Sequence, residues 1–120
     1  VVWGTVIVDE SHKLKPTLNK KGGSHFVQAV VGTVRAARRR ILLTGTPSLS
    51  RPFDLFLQVD AVWPGLLGPR DTFARLYCSM RKVTWGRSVW RDLSGGRRLT
   101  ELNVLLRECI MVRRLKQDVM

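Results

Sequence analysis

The sequence predicts an α/β fold in which helices flank a parallel sheet. Two buried strands are predicted, at residues 5–9 and 41–43, and they support this prediction because each is a short apolar run that ends abruptly in polar or turn-forming residues. Those residues are Asp9-Glu10-Ser11-His12 after the first run and Thr44-Gly45-Thr46-Pro47 after the second. Buried parallel strands have this pattern when they deliver side chains to a ligand at their carboxyl ends.

The elements of the first half follow from composition and periodicity. Residues 13–23 contain Pro, Asn and Gly and predict a loop. A helix is predicted from about residue 24 to 38, with one apolar face formed by Phe26, Val30, Val34 and Ala37. Strand, helix and strand would then make one βαβ unit.

The second half predicts further helices and one irregular region. A well-buried helix should run from Pro52 to about Val62, and another over 71–80 with Phe73, Leu76, Tyr77 and Met80 on one stripe. Residues 81–98 predict an irregular basic excursion. Thr100 is predicted to cap a helix containing Leu102, Leu105 and Leu106, and a strand-like run follows at 109–112.

Length and composition narrow the class of protein. The 120 residues suit one domain or a piece of one, and 44% hydrophobic content argues against disorder. No apolar run approaches the ~18–20 residues that a membrane span needs, and no signal-peptide pattern is present. Because the sequence starts in mid-strand without Met, we expect a fragment of a longer protein.

The net charge of +12 predicts a polyanionic partner, most simply nucleic acid. The alternative is that acidic regions elsewhere in a longer protein balance the positive charge of this basic face. Cys78 and Cys109 lie in amphipathic patterns, which predicts small core residues in a reducing compartment. No Cys or His spacing indicates zinc.

The adjacent carboxylates at the first strand end suit hydrolysis of a nucleoside triphosphate. That reaction needs Mg²⁺ on the phosphate oxygens and a group that positions water. Asp9 would hold Mg²⁺ and Glu10 would face the attacking water. The alternative is two solvated acids that begin a loop.

The second strand end, Thr44-Gly45-Thr46-Pro47, predicts a loop with two hydroxyl groups and restrained exit geometry. Such a loop could touch Glu10 or His12 and register the state of the nucleotide. The alternative is a plain turn between a strand and a helix.

Together these phrases resemble the Swi/Snf-type ATPases of helicase superfamily two. Asp9-Glu10-Ser11-His12 is similar to motif II (the Walker B box), Leu43-Thr44-Gly45-Thr46-Pro47 to motif III, and residues 113–119 to the end of the first RecA-like lobe. The run from Ser48 to Leu55, with Gln58 after it, resembles the annealing-helicase branch, which remodels replication forks.

The resemblance implies a DNA-dependent ATPase with ATP and Mg²⁺ as cofactors and forked or duplex DNA as partner. It implies three parts: lobe residues 1–63, a helical protrusion and basic loop at 64–98, and the last helix and strand of the lobe at 99–120. Ser11, His12, Thr44 and Thr46 would couple nucleotide state to DNA grip. The location would be nuclear in a eukaryote and cytoplasmic otherwise.

Some family parts are absent from these 120 residues, so the isolated chain is expected to be inactive. They are the phosphate loop, the adenine-contacting Gln and the second RecA-like lobe. Pro16 also departs from the small polar residue usual near that position. An RNA helicase of the same superfamily and a non-enzymatic basic nucleic-acid-binding module remain the alternatives.

Basic residues in the second half are candidates for DNA contact. Trp85 and Trp90, within the basic excursion, could stack on an unpaired base, or they could pack on the lobe. The candidate phosphate-binding residues are Arg87, Arg91, Arg97, Arg98, Arg113, Arg114 and Lys116.

Overall fold

Strands and helices alternate along the first half of the chain, as predicted. The computed structural model describes residues 2–17, 23–47 and 50–120. Its elements are β1 (Thr5–Val8), α1 (His25–Ala36), β2 (Arg39–Leu42), α2 (Pro52–Val62), α3 (Arg70–Tyr77), β3 (Arg81–Trp85), β4 (Ser88–Asp92), α4 (Leu99–Cys109) and α5 (Lys116–Val119), with a 3₁₀ turn at Ser11–Lys13. The predicted α/β class is confirmed, although the predicted loop at 13–23 lies partly outside the described residues.

β1 and β2 form a parallel pair in which Thr5 lies beside Arg39 and Val8 beside Leu42. α1 connects them, so the predicted βαβ unit is confirmed. β1 ends one residue earlier than predicted, and β2 begins two residues earlier.

The parallel pair is buried on one face only. Val6, Val8 and Leu42 pack against the hydrophobic core. Ile7 and Ile41 are register partners on the other face, where they are 61% and 43% exposed. The prediction of fully buried strands is therefore wrong within the described residues, because no described element covers this face.

α2 lies at the centre of the core and contacts α1, α3, β2 and the 3₁₀ turn. Pro52 stands in its first turn, where a missing N–H costs nothing. The predicted burial is confirmed. On one side of α2 the Phe73 ring lies 5.2 Å from Phe56 and 5.2 Å from Tyr77, centroid to centroid.

The predicted buried faces of two helices need correction. In α1 the buried stripe is Val27, Val31 and Val34, whereas Phe26 is 70% exposed. The predicted and the observed sets are both spaced by three or four residues, as on one face of a helix. Contact with α2 therefore decides which set is buried. In α3, Phe73 and Tyr77 are buried as predicted, but Leu76 is 38% exposed.

Residues 81–92 form an antiparallel β-hairpin, so the prediction of an irregular excursion is wrong there. Gly86 and Arg87 make the turn, and the positive φ of Gly86 (59°) suits a tight hairpin connection. The β-branched and aromatic residues of β3 and β4 favour strands, and this preference dominates over the basic composition.

The C-terminal predictions are partly wrong. The run at 109–112 is not a strand: Cys109 ends α4, is exposed rather than part of the core, and no described strand pairs with the residues after it. Arg98, not Thr100, precedes the first turn of α4. Cys78 is buried as predicted, and burial raises the pKa of its thiol to about 11. No helix among the described residues is both long and apolar enough for a membrane crossing.

Candidate active site

The two predicted motifs meet at the carboxyl edge of the parallel pair. Leu43 N–H donates to the carbonyl of Val8 over 2.8 Å, and Ser11 N–H donates to the carbonyl of Leu43 over 2.9 Å. Backbone pairing therefore continues past the ends of both strands. As a result, motif II and the loop of motif III lie side by side, as the sequence predicts for neighbouring parallel strands.

Asp9 and Glu10 both face solvent at this edge. Glu10 N–H donates to Asp9 Oδ1 over 2.8 Å. Glu10 has φ 52° and ψ 43°, a left-handed conformation that costs of order 1–3 kcal/mol for a residue other than glycine. Such strain concentrates at functional sites, and no pattern in the sequence indicates it.

His12 links the two motifs. Its Nδ1 lies 2.9 Å from Thr44 Oγ1 and 3.2 Å from Glu10 Oε2. An ionised carboxylate only accepts hydrogen bonds, so the contact with Glu10 is favourable when Nδ1 carries a proton. Thr44 Oγ1 accepts a hydrogen bond from Thr46 N–H over 3.2 Å, which orders the loop that contains Gly45. The predicted contact between motif III and His12 is thus present.

Ser11 points inward and ties motif II to α2. The residue is 1% exposed, and its hydroxyl donates to Gln58 Oε1 over 3.0 Å. Gln58 Nε2 donates in turn to the carbonyl of Asp54 over 3.3 Å. Sequence reasoning assigned no structural role to Gln58. The sequence does contain a signal of this role: Gln58 is polar within a helix of mostly apolar residues. A buried amide needs hydrogen-bond partners.

Asp54 gathers two basic side chains at the start of α2. Its Oδ2 lies 3.7 Å from Lys15 Nζ and 3.7 Å from Arg51 Nε. Lys15 follows motif II and Arg51 precedes α2. Asp54 is 8% exposed, so this carboxylate connects both segments from within the body of the protein.

The carboxylates of Asp9 and Glu10 suit a magnesium ion whose other ligands are the phosphates of a nucleotide. The described residues contain no group of three or more Asp, Glu, His or Cys side chains that could enclose a metal ion. Mg²⁺ commonly keeps several waters and binds through one or two carboxylates together with substrate phosphates. The solvent-facing oxygen donors of Asp9 and Glu10 match that pattern.

The predicted basic residues occupy two separate places. Arg113, Arg114 and Lys116 line a groove of about 650 Å³ together with Thr44, Gly45 and Pro47. Arg87 and Arg91 lie instead in the hairpin, and Arg97 and Arg98 follow it. These candidate phosphate-binding residues therefore fall into two regions, of which the one at 113–116 adjoins motif III.

Comparison with known proteins gives a consistent family. The model of the SNF2-related domain matches residues 1–120. One relative, from Bos taurus, is the SWI/SNF-related matrix-associated actin-dependent regulator of chromatin subfamily A-like protein 1. It is 41% identical over 115 residues, which cover 96% of this chain and 11% of that protein. The DNA annealing helicase and endonuclease ZRANB3 of Homo sapiens is 40% identical over 115 residues, 96% of this chain and 10% of that protein.

A more distant relative, the subfamily A-like protein 1 homolog from Caenorhabditis elegans, is 34% identical over 118 residues. Those residues are 98% of this chain and 16% of that protein, so the chain spans a small part of each relative. No solved structure matched. The predicted resemblance to Swi/Snf-type ATPases and their annealing-helicase branch is confirmed, and the chain belongs to the SNF2-related domain family.

Proposed function

We propose that the chain is part of an ATP-dependent DNA translocase, an annealing-helicase motor that remodels DNA at replication forks. One observation carries the proposal: His12 joins the Glu10 carboxylate to Thr44 of motif III at the carboxyl edge of a parallel sheet. The Glu10 carboxylate, which would act on the nucleotide, is thereby linked to the loop of motif III, which would respond to the state of the nucleotide. The names of the relatives, a regulator of chromatin and a DNA annealing helicase, support the choice of DNA and a nuclear location.

Within that motor the chain would form part of the first RecA-like lobe. The exposed pair Ile7 and Ile41 supports this, because parallel sheets normally have both faces covered. Residues 1–63 would be the lobe, 64–98 a protrusion from it, and 99–120 its closing segment. A phosphate loop and a second RecA-like lobe, supplied by the full-length protein, would complete the ATP site.

Each side chain at the edge would have a distinct task. Asp9 would help to hold Mg²⁺, which when bound neutralises charge on the phosphates. Glu10 would orient the attacking water and accept its proton. Ser11, His12, Thr44 and Thr46 would transmit the change at the nucleotide to the groove that Arg113, Arg114 and Lys116 line.

DNA would contact the two basic regions. Arg113, Arg114 and Lys116 would bind phosphates beside motif III, where a change at the nucleotide reaches them first. Arg87, Arg91, Arg97 and Arg98 would bind phosphates at or near the protrusion. The two regions lie on different elements of the chain, which supports DNA contact at more than one place.

Glu10→Gln in the full-length protein tests the proposal. The amide keeps the size of the side chain but cannot accept a proton, so DNA-stimulated ATP turnover should fall by ~10²–10⁴-fold. ATP binding, measured with a fluorescent analogue, should persist. Asp9→Asn should instead raise the Mg²⁺ concentration needed for half-maximal turnover.

Glu108→Gln, an exposed carboxylate on α4, is the matched control and should leave turnover unchanged. Normal turnover by Glu10→Gln would refute the assignment. The isolated 120-residue chain should show no DNA-stimulated phosphate release, because it lacks donors that clamp the transferred phosphoryl group. Stimulation by RNA instead of DNA would favour the RNA-helicase alternative.

A further inference from the structure

The hairpin of β3 and β4 has two chemically different faces. Successive residues of a strand point to opposite faces, and the register pairs Val83 with Trp90 and Trp85 with Ser88. One face therefore contains both tryptophans. The opposite face contains the cross-strand pair of Lys82 and Arg91.

The aromatic face is open to solvent. Trp85 is 80% exposed beside the turn, and Trp90 is 42% exposed on the neighbouring strand. This exposure excludes the alternative that both tryptophans are buried against the lobe. Two indole rings at diagonal positions on one sheet face offer flat apolar surface of the kind on which bases stack.

The cationic face is electrostatically unfavourable without a partner. Lys82 and Arg91 lie directly opposite each other, and like charges in that position destabilise a hairpin. Both residues are exposed, and none of the ion pairs among the described residues includes either one. A phosphate bound over this pair would remove the repulsion, and Arg87 in the turn would add a third positive charge.

The hairpin is closed by local contacts at its base, and the residue that follows β4 joins it to the core. Arg81 Nη2 lies 3.2 Å from Asp92 Oδ2, and Asp92 Oδ1 accepts hydrogen bonds from the backbone and hydroxyl of Ser94. Leu93, directly after β4, is 7% exposed and belongs to the core. The turn is therefore at the free end, with both faces accessible.

We propose that this hairpin is a wedge that binds the junction between duplex and single-stranded DNA. An unpaired base would stack on Trp85 while phosphates of the duplex bind Lys82 and Arg91. Plain duplex keeps its bases stacked internally and offers phosphates alone. Where the strands part, bases and phosphates become available on opposite sides of an inserted element, which matches the two faces.

The proposal rests on the proposed function, since it assumes that DNA is the partner. It is tested in the full-length protein with a fork and a blunt duplex of the same sequence. Trp85→Ala should weaken fork binding by roughly fivefold to a hundredfold and leave duplex binding unchanged. Trp85→Phe, which keeps an aromatic ring, should restore most of the loss. Trp63→Ala, an exposed tryptophan outside the hairpin, is the control and should bind both substrates as the wild type does.

The cationic face is tested by salt titration of fork binding. Replacing Lys82 and Arg91 together by Ala should flatten the log–log slope by ~0.7–0.9 for each lost phosphate contact. Arg38→Ala, an exposed cation between α1 and β2, is the control for charge and should leave the slope unchanged. A 2-aminopurine at the first unpaired position should lose fluorescence on binding the wild type and stay bright with Trp85→Ala.

The outcomes separate the wedge from the motor. Equal loss of fork and duplex binding in Trp85→Ala, or hairpin variants that behave like their controls, would overturn the wedge. The second result would indicate a protein-docking surface instead. If the wild type also shows DNA-stimulated ATP turnover, only the wedge fails. If turnover is absent but Trp85→Ala still loses fork binding, the wedge stands and the motor assignment fails.

Discussion

The carboxyl edge of the parallel sheet and the hairpin at 81–92 are built in opposite ways. At the edge, hydrogen bonds from Ser11, His12 and Leu43 join segments that are far apart in the sequence. The hairpin is held by the antiparallel pairing of its own two strands and by an ion pair between its two ends. One face of the parallel pair packs against the core, whereas both tryptophans of the hairpin are exposed.

Because they are held by different contacts, the two regions can be altered separately. At the edge, Ser11 is held by its hydrogen bond to Gln58 in the core, and such precise placement would suit the proposed chemistry, because small displacements cost rate. Residues of the hairpin face solvent, where they can meet a large partner. Substitutions in each region show how far the two are independent.

The largest contrast should appear in stability. Phe73 is 1% exposed between two aromatic rings, so Phe73→Ala should cost about 3–5 kcal/mol in the free energy of unfolding. Trp85→Ala should stay within about 0.5 kcal/mol, as for exposed sites. Thermal unfolding of the full-length protein measures both. A large loss from Trp85→Ala would mean that the hairpin is part of the core.

The link between motif II and α2 should have an intermediate effect. Gln58→Leu leaves the buried Ser11 hydroxyl without its acceptor, which should cost about 1–3 kcal/mol. Adding Ser11→Ala removes the orphaned hydroxyl, so the double variant should be less destabilised than the sum of the single ones. Additive losses in a double-mutant cycle would show that the two side chains do not interact.

Thr44→Val tests the link between the motifs with a smaller change. Valine keeps the shape of threonine but cannot bond to His12 or to Thr46 N–H, at a cost of about 0.5–1.5 kcal/mol. We expect basal ATP turnover to persist while its stimulation by DNA declines. Thr33→Val, an exposed threonine on α1, is the control. Unchanged stimulation in Thr44→Val would remove Thr44 from the coupling path.

The smallest effect concerns the base of the hairpin and depends on pH. Hydrogen bonds from Ser94, and then the charge of Arg81, hold the pKa of Asp92 below its ordinary 3.8. Because the pKa of Asp92 is lower in the folded state than in the unfolded state, its stabilising effect is complete at pH values above the unfolded-state pKa. The effect is lost as the pH falls through the folded-state pKa. Asp92→Asn should reproduce the acid state at neutral pH. Amide exchange in β3 and β4 should then quicken, whereas exchange in β1 and β2 should not change.

Local patterns in the sequence predicted the βαβ unit, the buried α2 and the motif residues at the strand ends. They failed where distant contacts decide. Phe26 and Val27 both fit a helical stripe, and only the position of α2 buries the second. The run at 109–112 has strand composition but no described partner strand. The bond between Ser11 and Gln58 joins residues 47 positions apart, and no local pattern reports such a contact.

A titration of ATP turnover against fork DNA tests the separation of chemistry from recognition most directly. Glu10→Gln should lower the maximal rate by ~10²–10⁴-fold and leave the half-maximal DNA concentration near that of the wild type. Trp85→Ala should raise the half-maximal DNA concentration and leave the maximal rate unchanged. A maximal rate that falls in Trp85→Ala as far as in Glu10→Gln would contradict the account, because the hairpin would then belong to the catalytic edge.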